Sequence, residues 1–193
     1  MSKVLVKVNT SAGDARMHRN AAPRFNQLRR TVFEHTGVDF LAVCGDVLRP
    51  TGFISNKDGV ANRSWHKTGR AFDYDQTSKA LVIVSEISSG KQFFRTWLLC
   101  SDQSGKFGVK RNLRDYRGGS TNSYVFDFTA AAEAVGFKRI PAWNGWQKNY
   151  NRREFWHYQY DEGLTWAVAM AQLKAGAMQP LVKGERVIIG LND

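Results

Sequence analysis

Apolar residues recur every three or four positions between residues 23 and 36, and this spacing predicts an amphipathic helix. The apolar positions of this stretch are Phe25, Leu28, Val32 and Phe33. Pro23 suits the first turn of the helix, and Gly37 suits its end. A short helix is predicted over residues 127–135, and a third helix, with a glycine stop, over residues 164–176.

Shorter apolar or alternating runs have the length of β-strands and are bounded by turn-forming residues. They lie at residues 39–44, 71–75, 80–87 and 155–160. The segment SSGK at 88–91 is typical of a hairpin turn and leads into the further strand QFFRTWLLC. Residues 103–122 are rich in Gly, Ser, Asn and basic residues and predict a long loop, and residues 180–193 predict an extended arm. This order of elements predicts an α+β domain with a small antiparallel sheet and helices packed on one side.

Length and composition indicate one globular domain. At about 150 residues per domain, a chain of 193 residues allows a single domain with a short appendage. We place the domain at 1–176 and a C-terminal tail at 177–193. The hydrophobic share of 42% argues against disorder. Two cysteines, Cys44 and Cys100, are too few for a disulfide-stapled fold, and the sequence leaves open whether they pair.

The basic character of the chain predicts an anionic partner or an anionic neighbourhood. Lys and Arg total 28 and Asp and Glu 17, which gives a formal charge of +11. Candidates are nucleic acid, an acidic polysaccharide and a lipopolysaccharide surface. The densest basic cluster comprises Lys106, Lys110, Arg111, Arg114 and Arg117. It is either a loop that binds phosphate or carboxylate, or a solvated loop without a ligand.

No apolar run approaches the roughly 18 residues of a membrane span, so we expect no stable membrane insertion. The N-terminal residues also lack the apolar region of a signal peptide. A protein of this kind that acts outside the cytoplasm would have to be released by another route.

Two short segments concentrate the residue types of a metal-dependent active site. Ser64–Asp73 and Glu154–His157 together supply two histidines, an aspartate and a glutamate. Three protein ligands and an open fourth position are typical of catalytic zinc. His66, Asp73 and His157 are the candidate ligands, and Glu154 is the candidate general base. The alternative for each histidine is a partly buried, hydrogen-bonded residue without a metal.

Spacing alone supports this site weakly. Gly69 lies between His66 and Asp73 and lets the chain fold back on itself. Glu154 and His157 are three residues apart, so on a regular strand they would face opposite sides. Their convergence requires a bulge, or a position for Glu154 just before the strand begins.

The string S-x-H-x-x-G-x-A-x-D, followed far downstream by E-x-W-H, resembles the motifs of the LAS-type zinc peptidases. The similarity is greatest to the branch that holds D-alanyl-D-alanine carboxypeptidases and phage L-alanyl-D-glutamate endolysins. The matching positions are Ser64, His66, Gly69, Ala71 and Asp73, then Glu154, Trp156 and His157. Weaker similarities at 45–50 and 136–140 extend the resemblance over residues 23–160.

The resemblance implies a LAS-like fold, zinc bound by the two histidines and Asp73, and Glu154 as general base. It also implies that Arg49 stabilises the tetrahedral intermediate, although Arg49 could instead cap a surface turn before Pro50. Asp75 would share a strand face with Asp73. It is either a hydrogen-bond partner of a metal ligand, or a solvated or hydrogen-bonded carboxylate without that role. The stretch between the motifs is long for compact members of the family, which implies an insertion that shapes the substrate cleft.

We therefore expect a zinc-dependent peptidase that cuts an amide bond in the stem peptide of peptidoglycan, in the manner of a phage L-alanyl-D-glutamate endolysin. The nearest alternative is a D-Ala-D-Ala carboxypeptidase or dipeptidase. The other alternative is a non-catalytic, zinc-containing module that binds cell wall or nucleic acid. We expect a monomer without a nucleic-acid partner, made in the host cytoplasm and acting on the cell wall after release, or carried by the virion.

Overall fold

The computed structural model describes residues 4–57 and 61–178, and in these ranges it contains three α-helices and three antiparallel sheets. The first sheet is a hairpin of β1 (Leu5–Lys7) and β2 (Arg16–His18). Helix α1 (Ala22–Thr36) follows, so the helix predicted over 23–36 is confirmed. Its apolar face is narrower than expected, because Phe33 is 53% exposed while the other three apolar residues are buried.

The second sheet carries the candidate site. Its strands are β3 (Cys44–Asp46), β4 (Ala71–Tyr74), β9 (Lys138–Arg139) and β10 (His157–Gln159), in the order β3-β4-β10-β9. The strands predicted at 71–75 and 155–160 are thereby confirmed. The strand predicted at 39–44 is wrong, because Phe40–Ala42 form a 3₁₀ turn. Phe40 and Leu41 are both buried, and successive residues of a strand would point to opposite faces.

The third sheet lies between the two motifs in sequence. It has the order β5-β6-β8-β7 and contains β5 (Leu81–Ser88), β6 (Lys91–Leu99), β7 (Val109–Arg114) and β8 (Ser120–Asp127). The hairpin at 88–91 is confirmed, and the central residues of its turn, Ser89 and Gly90, both have positive φ.

The long loop predicted over 103–122 is wrong, since most of it forms β7 and the start of β8. The sequence pattern does not indicate this strand, because β7 is an outer strand whose residues are nearly all exposed and show no apolar alternation. The basic residues Lys110, Arg111 and Arg114 therefore lie on a strand. Arg117 follows it and forms an ion pair with Asp115.

Two further helices complete the described chain. Helix α2 (Phe128–Ala134) confirms the prediction over 127–135. Helix α3 (Trp166–Met178) confirms the third helix, but it continues through Gly176, so the predicted stop there is wrong. A Cβ atom at Gly176 would lie 1.8 Å from a methyl carbon of Val4, so glycine permits close packing there. The arm predicted at 180–193 lies outside the described residues, as does nearly all of the tail at 177–193.

The α+β class is confirmed, with antiparallel pairing in every described sheet. Cys44 and Cys100 are both buried and unpaired, which settles the question that the sequence left open. Among the described residues, no helix is long and apolar enough to cross a membrane.

A buried polar cluster ties the N-terminal hairpin and α3 to the start of β4. The fully buried side chain of Arg70 forms an ion pair with Glu162 and donates to Gln172 Oε1 at 3.0 Å. It also lies 3.4 Å from Nε2 of His18, while the backbone N–H of Asn20 faces Nδ1 at 3.2 Å. Both ring nitrogens of His18 therefore face N–H donors. Neutral His18 accepts a hydrogen bond from one of these donors, whereas protonated His18 could accept from neither.

Acid is therefore expected to destabilise the protein through His18. Burial, and then the charge of Arg70, lower the pKa of His18 from 6.5 to about 4. Between these two values the unfolded chain binds a proton that the folded chain does not, so stability falls as pH falls. The loss approaches about 3 kcal/mol at most. Urea unfolding at pH 7 and pH 4.5 measures it. His18→Gln should lose less stability between these pH values than wild type, and an equal loss would contradict this origin.

Candidate metal centre

The first motif is folded around a short 3₁₀ turn, Trp65–Thr68, that presents His66. The hydroxyl of Ser64 accepts the backbone N–H of His66 at 3.3 Å and so caps this turn. Gly69 ends it with a φ of +70°. A Cβ atom at Gly69 would lie 2.7 Å from Leu5 and 2.9 Å from the backbone nitrogen of His18. The structure therefore explains both motif residues locally: Ser64 caps the turn, and Gly69 allows the turn to end in close contact with the N-terminal hairpin.

The other two candidate ligands face each other across the sheet. His157 on β10 is the direct antiparallel partner of Asp73 on β4, and Gln159 is the partner of Ala71. Residues paired in this way project to the same face of a sheet with their Cβ atoms about 4.5–5.5 Å apart. The small, fully buried Ala71 therefore lies on the metal-facing side, opposite Gln159.

Three ligand atoms form a nearly equilateral triangle. Asp73 Oδ1 lies 3.0 Å from His66 Nε2 and 3.0 Å from His157 Nδ1, and the two nitrogens are 3.1 Å apart. Zinc bonds of about 2.0–2.2 Å at tetrahedral angles place two ligand atoms about 3.3 Å apart. The triangle is close to one face of such a tetrahedron, and all three side chains are buried. This group could hold a metal ion.

The electrostatics of the group favour a cation. Burial disfavours the charged form of His66, but the carboxylate of Asp73 outweighs it and raises the pKa of His66. Burial also opposes ionisation of Asp73, yet the two imidazoles hold the pKa of Asp73 well below its usual range. Nδ1 of His66 lies 3.1 Å from the carbonyl oxygen of Val47, which can only accept a hydrogen bond. Neutral His66 therefore carries its hydrogen on Nδ1 and presents a lone pair at Nε2.

Glu154 reaches the same cleft through an unusual backbone conformation. Its φ is +55°, and its carbonyl accepts the N–H of His157 at 3.2 Å, which makes a turn just before β10. Glu154 therefore lies just before the strand begins, which is one of the two arrangements that would bring it to the same side as His157. Burial, together with the negative charge of Asp73, raises the pKa of Glu154 to about 7, although His157 and Arg49 oppose this.

Trp156 supports this turn from behind. Its side chain is buried and stacks on Tyr150, with ring centroids 5.1 Å apart, and its carbonyl accepts the N–H of Tyr74 on β4 at 3.2 Å. These contacts hold the segment between Glu154 and His157 against the sheet.

Arg49 lies beside the three candidate ligands, and both its backbone and its side chain make hydrogen bonds. Its backbone N–H donates to the carbonyl of His66 at 3.3 Å. Its Nε donates to Asp46 Oδ2 at 3.0 Å, and its guanidinium lies over the ring of Phe53. Asp46 lies in the segment 45–50 that carries one of the weaker similarities, but the sequence does not indicate that it binds Arg49.

An open cleft leads to this centre. Its wall beyond the residues already described includes Arg63, Trp65, Gln76, Ile140, Trp143 and Asn151. Asp75, the other carboxylate of the β4 region, accepts the backbone N–H and the hydroxyl of Thr77 at 2.9 and 2.6 Å. Asp75 is therefore a hydrogen-bonded carboxylate that binds Thr77, and it is not a hydrogen-bond partner of a candidate metal ligand.

No protein-family model, curated protein or solved structure matches this chain. The argument for a function therefore rests on the residues and the geometry of the site.

Proposed function

We propose that this protein is a zinc-dependent peptidase of the LAS type, with a LAS-like fold, that hydrolyses an amide bond in the stem peptide of peptidoglycan. The observation that carries the proposal is the buried triangle of His66, Asp73 and His157 at the base of an open cleft that also holds Glu154. The resemblance of both motifs to this family supports the choice of substrate.

The chemistry follows from the positions of the side chains. A zinc ion held by the triangle would polarise the amide carbonyl and lower the pKa of a water molecule towards about 7. Glu154 accepts the proton of the attacking water and passes it to the leaving amine. Without a metal, burial raises the pKa of Glu154 to about 7, and the charge of a bound zinc ion would lower it. Glu154 would then be ionised near neutral pH and able to take the proton. The guanidinium of Arg49 lines the same cleft and would donate to the oxyanion that develops on the amide carbonyl.

The donor set is compatible with more than one metal. Two histidines and one carboxylate also bind iron(II) in oxygenases. Glu154 favours zinc and hydrolysis, since hydrolysis needs a proton carrier and this buried carboxyl is placed to serve as one. A purely structural metal site would not need such a group, which argues against the non-catalytic module.

Digestion of purified peptidoglycan by the zinc-loaded protein tests this proposal. Mass spectrometry of the products should show new amino termini at D-glutamate and new carboxyl termini at L-alanine. Release of D-alanine instead would identify the carboxypeptidase alternative. A zinc-loaded protein that binds cell walls without creating new termini would contradict a peptidase.

A phage endolysin or virion-associated lysin is the biological setting that we propose, with peptidoglycan as the partner and a monomer as the working form. The formal charge of +11 supports attraction to anionic cell walls.

Arg49→Ala is expected to lower turnover by about 10²–10³-fold, the usual cost of losing one oxyanion donor. Zinc content should not change, because Arg49 contacts the ligand His66 only through its backbone. Arg49→Lys should recover part of the loss, since a lysine keeps the charge but not the rigid pair of donors that Asp46 holds. Steady-state kinetics with metal analysis measures both. Turnover of Arg49→Ala within threefold of wild type would return Arg49 to the role of a turn cap.

A further inference from the structure

We infer that Gln159 is a positioning residue that sets the tautomer of His157 and so presents Nδ1 of that ring to the metal. The inference rests on the proposed metal centre but not on the identity of the substrate. His157 and Gln159 are two residues apart on β10, so their side chains project to the same face of the sheet. Gln159 Oε1 lies 3.3 Å from His157 Nε2.

The direction of this hydrogen bond follows from the amide atom that makes it. The oxygen of the Gln159 amide is the atom that faces the imidazole of His157. An amide oxygen can only accept a hydrogen bond, so Nε2 of His157 must be the donor.

An acceptor at Nε2 requires the hydrogen of neutral His157 to sit on that nitrogen. The lone pair is then on Nδ1, which is the atom that lies 3.0 Å from Asp73 Oδ1 and 3.1 Å from His66 Nε2. His66 has the opposite arrangement, because the carbonyl of Val47 holds the hydrogen on Nδ1. The acceptor for His66 belongs to the backbone, whereas the acceptor for His157 is a side chain that a mutation can remove.

The test compares two substitutions of similar length. Gln159→Met removes the acceptor, and Gln159→Glu keeps an acceptor for the Nε2 hydrogen. Loss of such a partner of a metal-binding histidine typically costs about 10–100-fold in metal affinity, and we expect Gln159→Met to bind zinc that much more weakly. Gln159→Glu should stay within about threefold of wild type, because carboxylates serve as such partners in many metal sites. Gln27→Met, on the exposed face of α1, makes the same chemical change away from the cleft and is the matched control; it should keep wild-type zinc affinity.

Zinc affinity is measured by competition with a chromophoric chelator, without any peptidoglycan. In parallel, ¹⁵N-resolved NMR of the zinc-loaded protein should show the Nε2 hydrogen of His157. That hydrogen should exchange with solvent faster in Gln159→Met than in wild type. Equal thermal unfolding of the variants establishes that the fold is intact.

Zinc affinity of Gln159→Met within threefold of wild type would overturn the inference. Equal weakening in the Met and Glu variants would also overturn it, since packing and not acceptance would then be the role of Gln159. Wild-type protein that binds zinc but cuts no cell wall contradicts the proposed function alone. Wild-type protein that binds no zinc overturns both.

Discussion

Asp73→Asn is expected to empty the metal centre and to abolish hydrolysis. Asp73 supplies the only negative charge among the three ligands, and its Oδ1 lies 3.0 Å from both ligand nitrogens. Four ligands together provide roughly 10–16 kcal/mol of apparent binding free energy to zinc, so the loss of one costs about 3–4 kcal/mol, or about 10²–10³-fold in affinity. Zinc content after dialysis and turnover on peptidoglycan measure the two effects.

Asp75→Asn is the matched control for this substitution. Asp75 lies two residues away on the same segment, but its carboxylate bonds Thr77 and not a ligand. This variant should keep its zinc. Chelation of the wild-type protein should reproduce the loss seen in Asp73→Asn, and added zinc should restore activity to the wild type only. Full activity in a protein shown to be free of metal would end the metallopeptidase proposal.

Glu154→Gln is expected to keep the metal and to lose about 10²–10⁴-fold in turnover, which is the usual contribution of a general acid–base group. An amide of the same shape cannot take a proton from water. The cavity accepts a neutral group, because burial already raises the pKa of Glu154 to about 7. His157→Ala, unlike Glu154→Gln, should lose the metal as well as the activity.

Glu34→Gln, on the exposed face of α1, makes the same chemical change away from the cleft and should leave turnover unchanged. The comparison needs zinc content and kinetics on the same preparations. Near wild-type turnover in a zinc-loaded Glu154→Gln protein would show that another group carries the proton.

Residue types that bind metals, and the resemblance of the two motifs to a known family, predict a metal group of His66, Asp73 and His157. The structure brings these three side chains together in one cleft with Glu154, where they could hold a metal ion. The supporting contacts could not be predicted in the same way. Gln159 meets His157 two residues away, and Asp46 meets Arg49 three residues away. Such contacts depend on the backbone conformation between the two residues and on their side-chain rotamers, and no sequence pattern specifies these.

The errors in secondary structure have related physical causes. The sequence predicts no strand at β7, because an exposed outer strand needs no apolar alternation and its basic residues are typical of protected sheet edges. The run at 39–44 is short and apolar, and this pattern predicts a strand. Such a run fits a buried helical turn equally well, and only the tertiary packing of Phe40 and Leu41 decides between them.

The left-handed backbone of Glu154 has a consequence for protein engineering. A residue with a side chain in this conformation costs about 1–3 kcal/mol, and a glycine would remove that cost together with a buried carboxyl group. A library screened only for heat resistance would therefore favour glycine at position 154 and discard the proposed catalytic base. Directed evolution of a more durable enzyme from this chain has to select for turnover and thermal resistance together.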